Sequence, residues 1–559
     1  MKQLKIVPIG GLGKVTQNMF LYMYEKEILI VDCGIGFPDD YMPGVDMLIP
    51  DTTYLHEQLA EGKELVGIVI SHGHEDHMGA LPYILPELEE IPPIWGSPLT
   101  VGFIQKKLQD KKMQGMRNVQ VNTFENRQTV KLGEHFQVMP LAVPHSVPDT
   151  RHLAITTPEG LVYHGSDFKL DEHPLDGVHA DFETMKALGK QGVALALIDC
   201  LRAEQLEHTP SETTVGPEIE KLMRHTKGKF VVTLMSSHIH RIQQIVNICQ
   251  ELGRKIVFIG RSVEQNVQIA SSLKKLKIPQ GVMIDKRDLE KHKDNQLCVV
   301  IAGSQGQEGS SLIRAVYGEH RQVQIKADDK VVFSANVIPG NEISYYRAIN
   351  ELAGNGVNVI YPDVNPLLHQ SGHASAAEQR DVVKLLQPKF LMPIGGEDRH
   401  RAKFREYVAQ ALGYTKDKTL TPKVGEIIGL SKGEAKVVDS IEIRSRTVDG
   451  LGIGDVGPVV LSDRRSMGQA GMIVLIIPRQ RGKLNIKKME VVSKGFVFMK
   501  EAEEVISFIE KETANIVNHL GKKKNSPKAV SEAVERKLGR KLYKVIQREP
   551  MIIPVIMDV

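Results

Sequence analysis

The stretch SHGHEDHMG, residues 71–79, holds three histidines and two carboxylates: His72, His74, Glu75, Asp76 and His77. Imidazole and carboxylate donors without a thiolate suit zinc or manganese better than calcium or magnesium alone. Histidines two apart share no helical face, so the donors must converge from a loop. Gly73 is expected to let the backbone turn so that both neighbouring rings aim inward. Asp76 and His77 can serve a second ion beside the first. Two such ions about 3.5–4 Å apart lower the pKa of water and stabilise displacement at phosphorus. Glu75 is expected to face solvent or stand behind the donors, and Gly79 to admit the next helix.

The elements that must position these donors are short apolar runs, each closing on a polar residue. EILIVD ends at Asp32, LVGIVISH at His72, QVMPLAVPH at His145, LVYHGSD at Asp167 and ALALID at Asp199. Buried strands read as continuous apolar runs, and their ends meet along one edge of a sheet. Any one of these polar residues is an ordinary strand end. Together with the histidine cluster they indicate one site.

From about residue 205 to 361 the rhythm changes. KFVVTLMSS (229–237) leads into Ile242, Ile245, Val246, Cys249 and Leu252 at helical spacing, and RKIVFIG, LCVVIAG, KVVFSAN and VNVIYP follow with helices between. That alternation predicts a doubly wound parallel sheet. FLMPI (390–394) then resumes the earlier style, so the second unit reads as an insertion into the first. The expected boundaries are 1–205 and 362–445 for the split first domain and 206–361 for the insertion. The Gly-rich, charged stretch 446–470 reads as a linker, and 471–559 as a small α/β domain.

A chain of 559 residues exceeds one hydrophobic core, so two to four domains are expected. Lys and Arg total 71 against 68 Asp and Glu, a net of +3, so charge alone does not mark a polyanion binder. Lys522–Arg548 is locally basic, which fits either a solvated helix face or a polyanion surface. Cys33, Cys200, Cys249 and Cys298 are too scattered for a disulfide framework and fit a reducing cytoplasm. The start, MKQLKIVPIGG, is not expected to be a signal peptide, and no run approaches the roughly 20 apolar residues that cross a bilayer.

HGHEDH, with Asp32 upstream and PHSVPD and SDFK downstream, resembles the metallo-β-lactamase superfamily, and the insertion resembles its β-CASP group. FPDDYMPGVDMLIPD, HSVPD, DFKLD, TPSE, IHRIQQI, GSQGQEG, IPGNE and QSGHAS resemble ribonuclease J over nearly the whole chain. The resemblance implies an αββα sandwich with an inserted doubly wound β-CASP domain and a small C-terminal α/β domain. It implies an RNA hydrolase, exonucleolytic from a 5′-monophosphate end and also endonucleolytic, acting in rRNA processing and mRNA decay. Two divalent metals, Zn or Mn, would be held by His72, His74 and His145 and by Asp76, His77 and Asp167, with Asp167 bridging. Asp32 would orient the histidine loop from behind. His373, assisted by Asp199, would act as general acid, with Asp76 also in the catalytic set. His369, Gln370, Ser371, Gly372 and His373 would line a phosphate pocket. Read alone, HQSGHAS is only a capped helix start, since Ser375 precedes AAEQRDVVKLL. Expected partners are single-stranded RNA, a second copy in a homo-dimer or tetramer, and a ribonuclease J paralog; no membrane is expected. A hydrolase of small thioesters or lactams would not need the insertion.

The chain departs from the family pattern at two places. The family carries a histidine, the remaining ligand of the second metal, where PIGGED places Gly395. His400, five residues on, is not expected to replace it without rearrangement. After Asp199 the family has serine, threonine and asparagine, against Cys200, Leu201 and Arg202 here. Both departures resemble the second, less active ribonuclease J paralog of Gram-positive bacteria, which associates with its active sister.

Overall fold

The computed structural model describes residues 2–39, 41–109, 119–481, 483–496, 503–520 and 526–559. These form two compact units, Met1–Phe37 with Leu48–Arg446, and Pro38–Met47 with Thr447–Val559.

In the larger unit the apolar runs become strands. Phe20–Tyr24, Glu27–Val31, Val193–Asp199 and Phe390–Ile394 are buried along their whole length. Among the described residues one sheet has eight strands and a second has six. Phe20, Leu29 and Val31 of the first sheet pack with Val138, Ile155, Leu195 and Met392 of the second, so the main core lies between the sheets. On its other face the second sheet packs helices Phe182–Gln191 and Ala376–Leu386, through Met185, Leu188, Val382 and Leu386. Helix Pro98–Leu108 packs against the first sheet, and the result is the helix–sheet–sheet–helix layering that the resemblance implies.

Between the two parts of this sandwich runs a five-stranded sheet in the order 255–259, 297–301, 230–233, 330–333, 358–360, every pairing parallel. It has its own core of Val231, Val257, Val299, Val331 and Phe333, covered by helices that include Glu342–Gly354. Parallel strands need crossover connections, and the alternating helices supply them. The chain then returns at Phe390–Ile394, which pairs in parallel with Val193–Asp199 and brings Ile394 opposite Asp199.

The smaller unit packs helices Glu503–Asn518 and Pro527–Ile546 on a sheet of Met472–Gln480, Glu490–Lys494 and Met551–Asp558. Two expectations change here. The stretch 446–470 is structured: Val448 pairs with Ile453 in a tight hairpin, and Pro458–Ala470 is a helix. Gly450, at φ +59°, and Gly454, at φ +73°, serve the hairpin; Gly457 and Pro458 start the helix, and Gly471, at φ +74°, closes it. Residues 38–47, far away in sequence, join this unit because Asp46 N–H donates to the Val448 carbonyl and Arg464 donates to the Pro43 carbonyl. Of the basic run, residues 522–525 lie outside the described residues. The remainder is a helix that buries Val530, Val534, Leu538 and Leu542 and exposes its lysines and arginines.

No helix among the described residues is long and apolar enough to cross a membrane.

Candidate metal centre

The polar residues at the strand ends converge. Asp32 follows strand Glu27–Val31, the histidine loop follows Glu64–Val69, His145 follows Phe136–Ala142, Asp167 follows Gly160–Gly165, and Asp199 ends its own strand. His74 caps a single helical turn, Glu75–Met78, which turns Asp76 and His77 back toward the sheet edge. Gly73 is required for a reason other than a tight turn. It does not adopt a left-handed φ, and a Cβ there would come within 2.6 Å of the Phe103 ring.

Four donor atoms face one point. His72 Nε2 lies 3.1 Å from His74 Nδ1, His145 Nε2 lies 3.2 Å from that same atom, and both Nε2 atoms stand 3.6 Å from Asp167 Oδ2. Ligands about 2.0–2.1 Å from a tetrahedral ion stand about 3.3 Å apart, so this set fits zinc. The other nitrogen of each ring is engaged: His72 Nδ1 with Ser71 Oγ at 3.0 Å, His74 Nε2 with Ser146 Oγ at 3.3 Å, and His145 Nδ1 with the Gly372 carbonyl at 2.7 Å. Such contacts fix ring orientation and the donor nitrogen. Burial pulls His74 down to about 3 and holds His72 and His145 well below the usual imidazole range. All three are therefore neutral, as a cation requires.

The second set is shorter. His77 Nε2 lies 3.4 Å from Asp167 Oδ1 and 3.7 Å from Asp76 Oδ2, so the two oxygens of Asp167 face the two sets. Asp32, at φ +61°, accepts from Ser71 N–H at 2.8 Å and Ser71 Oγ at 2.9 Å, and its Oδ2 meets His77 Nδ1 at 2.7 Å. Against its burial, the carboxylates of Asp167, Asp32 and Asp76 raise His77 well above the usual range, so an ion entering here must displace a proton. Among the described residues this set stops at three. A Cβ on Gly395 would lie 3.5 Å from Asp199 Oδ1 and 4.0 Å from Asp167 Oδ1, so the missing seat is at that glycine. His400 is not in reach of it: its Nδ1 accepts from Glu397 N–H, and its Nε2 faces Glu204 at 3.8 Å. The donors present fit the first ion and fall one short for the second.

His373 Nδ1 meets Asp199 Oδ2 at 2.7 Å, and its Nε2 lies 3.8 Å from Asp167 Oδ2. Burial opposes its charge, but Asp199 and Asp167 outweigh it and push the imidazole up to about 9. Ser375 caps helix Ala376–Leu386 in a capping box with Glu378, so the bland reading of HQSGHAS also holds. Ser371 Oγ accepts the His373 N–H, leaving its own proton to donate. His369 differs from a plain phosphate donor: its Nδ1 sits 2.9 Å from the Arg241 guanidinium, which also clamps Glu212 with two bonds of 2.8 and 2.6 Å. Gln370 turns its carbonyl to Arg241 at 3.4 Å. Glu75 is exposed and pairs with Lys107.

Three supporting residues escaped the sequence reading. Glu378, fully buried, accepts from the backbone N–H groups of Leu170 (2.7 Å), Thr209 (2.9 Å) and Ser375 (2.8 Å), which stitches the segments after Asp167 and around His373 together. Asn18 Nδ2 lies 3.1 Å from His77 Nε2. His152 Nε2 meets the Ser166 carbonyl at 3.0 Å, just before Asp167. The capping-box spacing of Ser375 and Glu378 was a signal for the first; nothing local marks the others.

Comparison with known proteins covers most of the chain. Residues 28–217 match the family described as beta-lactamase superfamily domain, and 227–352 match ribonuclease J, beta-CASP domain. Residues 357–422 match the Zn-dependent metallo-hydrolase RNA specificity domain, and 459–559 the ribonuclease J C-terminal domain. Ribonuclease J of Thermus thermophilus is 33% identical over 561 residues, covering 99% of this chain and 95% of its own. Ribonuclease J 1 of Streptococcus pyogenes is 33% identical over 557 residues, covering 99% and 98%. Ribonuclease J2 of Bacillus subtilis is 29% identical over 560 residues, covering 100% and 99%. A solved protein of unknown function from Enterococcus faecalis V583 shares the fold at a TM-score of 0.53 and 14% identity, covering 77% of this chain and 100% of its own.

Proposed function

The chain belongs to the ribonuclease J family, and from that premise we propose that it hydrolyses RNA, from 5′-monophosphorylated ends and internally, with a second ion site weakened at Gly395. The observation that carries the reading is the placement of His373 Nε2 3.8 Å from Asp167 Oδ2, the oxygen shared with the first donor set. His72, His74, His145 and Asp167 would hold one divalent ion, zinc or manganese; Asp76, His77 and Asp167 would hold the other less firmly. When bound, such ions polarise the phosphate and lower the pKa of water.

The chain's own groups do the rest. Asp199 keeps the proton of His373 on the ring and leaves Nε2–H directed at the site, where it can protonate the leaving oxygen. At about 9, His373 carries that proton at neutral pH. Ser371 offers its hydroxyl to a phosphate oxygen. Asp32 holds His77 so that Nε2 faces Asp167. An enzyme of this kind acts in the cytoplasm, in keeping with four buried, unpaired cysteines.

A second reading is favoured by Gly395 and by the 29% identity to ribonuclease J2 over the full chain. In it the chain is a largely non-catalytic subunit that binds RNA and an active paralog, and also pairs with itself as a dimer or tetramer. Metal content per chain, measured beside turnover of a 5′-monophosphorylated oligoribonucleotide with zinc or manganese, separates the two. Two ions with turnover support the enzyme, and one ion with negligible turnover the partner subunit. Turnover that survives replacing both His74 and Asp76 with alanine would sink the catalytic reading.

A further inference from the structure

Arg202 stands where the chain departs from the family's small polar residues, three positions past Asp199. Its backbone forms a parallel bridge with Ser375, two residues beyond His373, and Ala376 N–H reaches back to the Gln205 carbonyl. Arg202 is thereby tied to the segment that carries the acid. The residue is half-buried, and its Nε is shielded from solvent without a hydrogen-bond partner, while its terminal nitrogens reach solvent. The fully buried arginines have more partners. Arg241 meets Glu212, the Ser334 carbonyl and His369; Arg254 reaches four carbonyls. Arg151 and Arg401 leave Nε unmatched but place a terminal nitrogen on a carbonyl.

The carboxylate whose charge acts on Arg202, Glu378, does not resolve the mismatch, because it spends both oxygens on three backbone amides. Burial pulls Arg202 below the ordinary arginine value, with the Glu378 charge acting against it. The Arg202 charge is also one of those holding His369 neutral. A buried Nε–H without an acceptor is a standing cost in the free protein. An anion placed on it removes that cost, and the planar fork fits two phosphate oxygens at once.

We propose that Arg202 is a phosphate-binding residue, receiving a phosphate of RNA laid along the His369–His373 segment. The inference rests on the RNA-binding reading above and adds to it a residue the family pattern does not supply. The phosphate is a terminal monoester or an internal diester, and both present the same pair of oxygens.

The test uses the full chain in chelator, so that nothing is cleaved, and a fluorescent oligoribonucleotide bearing either a 5′-monophosphate or a 5′-hydroxyl. Arg202→Met is expected to weaken binding by about ten- to a hundred-fold. It should lower the slope of log affinity against log salt by about one, and melt at or above the wild-type temperature. Arg202→Lys should retain the salt slope with intermediate affinity. Loss confined to the 5′-monophosphate probe assigns the terminal group; equal loss on both assigns a diester. Arg202→Met with wild-type affinity and salt slope overturns the inference and leaves the RNA reading standing. A wild-type chain that binds neither probe overturns both.

Discussion

The Gly372 carbonyl accepts a hydrogen bond from His145 Nδ1 at 2.7 Å, so the segment that carries His373 also fixes the tautomer of a candidate metal ligand 227 residues earlier. Acid and ligand are therefore set by one piece of backbone. Disturbing that segment should be felt in metal affinity as well as in turnover.

Gly372→Ala tests this directly. The added Cβ would fall 2.8 Å from His145 Cε1 and 2.9 Å from Nδ1, closer than real contacts allow. Zinc affinity, read by chelator competition, should drop by about 10–100-fold. Unchanged affinity would show that the carbonyl does not govern the ring.

Gly395→His should restore a donor at a cost. The Cβ has room, but φ is +69°, which costs an L residue about 1–2 kcal/mol. In chelator the variant should melt below the wild type. With manganese or zinc it should recover and bind an additional ion per chain by elemental analysis. A variant that melts lower in both conditions and gains no ion would show that the seat cannot be refilled.

Asp32→Asn keeps size but removes a charge that faces Ser71 and His77. An amide presents acceptor capacity on one side only, so His77 loses its anchor or Ser71 does. The second ion should be lost first, with affinity lower by about 10–100-fold, while His72, His74 and His145 keep theirs. Titration with cobalt, followed through its visible spectrum, distinguishes the two sets.

Glu212 should shape the acid limb of stability. Against its burial, Arg241 and His238 hold its carboxyl well below the ordinary value of 4.5. A carboxyl depressed in the folded chain contributes stability that is present above its unfolded pKa and lost as pH falls through its folded one. Glu212→Gln should therefore destabilise by about 3 kcal/mol at neutral pH, because Arg241 is left buried without its counter-charge. The gap to wild type should close as pH falls below 4.5, read by melting both proteins across the range.

The sequence showed most of the centre because strands of a buried sheet announce themselves. EILIVD and ALALID are apolar over their whole length, and Asp32 and Asp199 follow from where each run stops. The supports were hidden because their partners lie far away. Glu378 reads as a local cap, yet its other partners are Leu170 and Thr209, 208 and 169 residues distant. Gly73 looked like a turn residue, whereas the Phe103 ring is what leaves no space for a side chain. The stretch 446–470 looked like a tether because its glycines and proline were read as flexibility rather than as a hairpin turn and a helix start.

The three amides gathered by Glu378 belong to segments that leave the ribosome at different times. Leu170 and Thr209 emerge long before the carboxylate that joins them, and the whole inserted sheet must be synthesised in between. Closing so long a loop carries an entropic cost that packing of the insertion helps to offset. A nascent chain thus displays its histidine loop early, yet has no held acid until residue 378 is made. The metal donors up to Asp167 are thus made well before the segment that positions the acid.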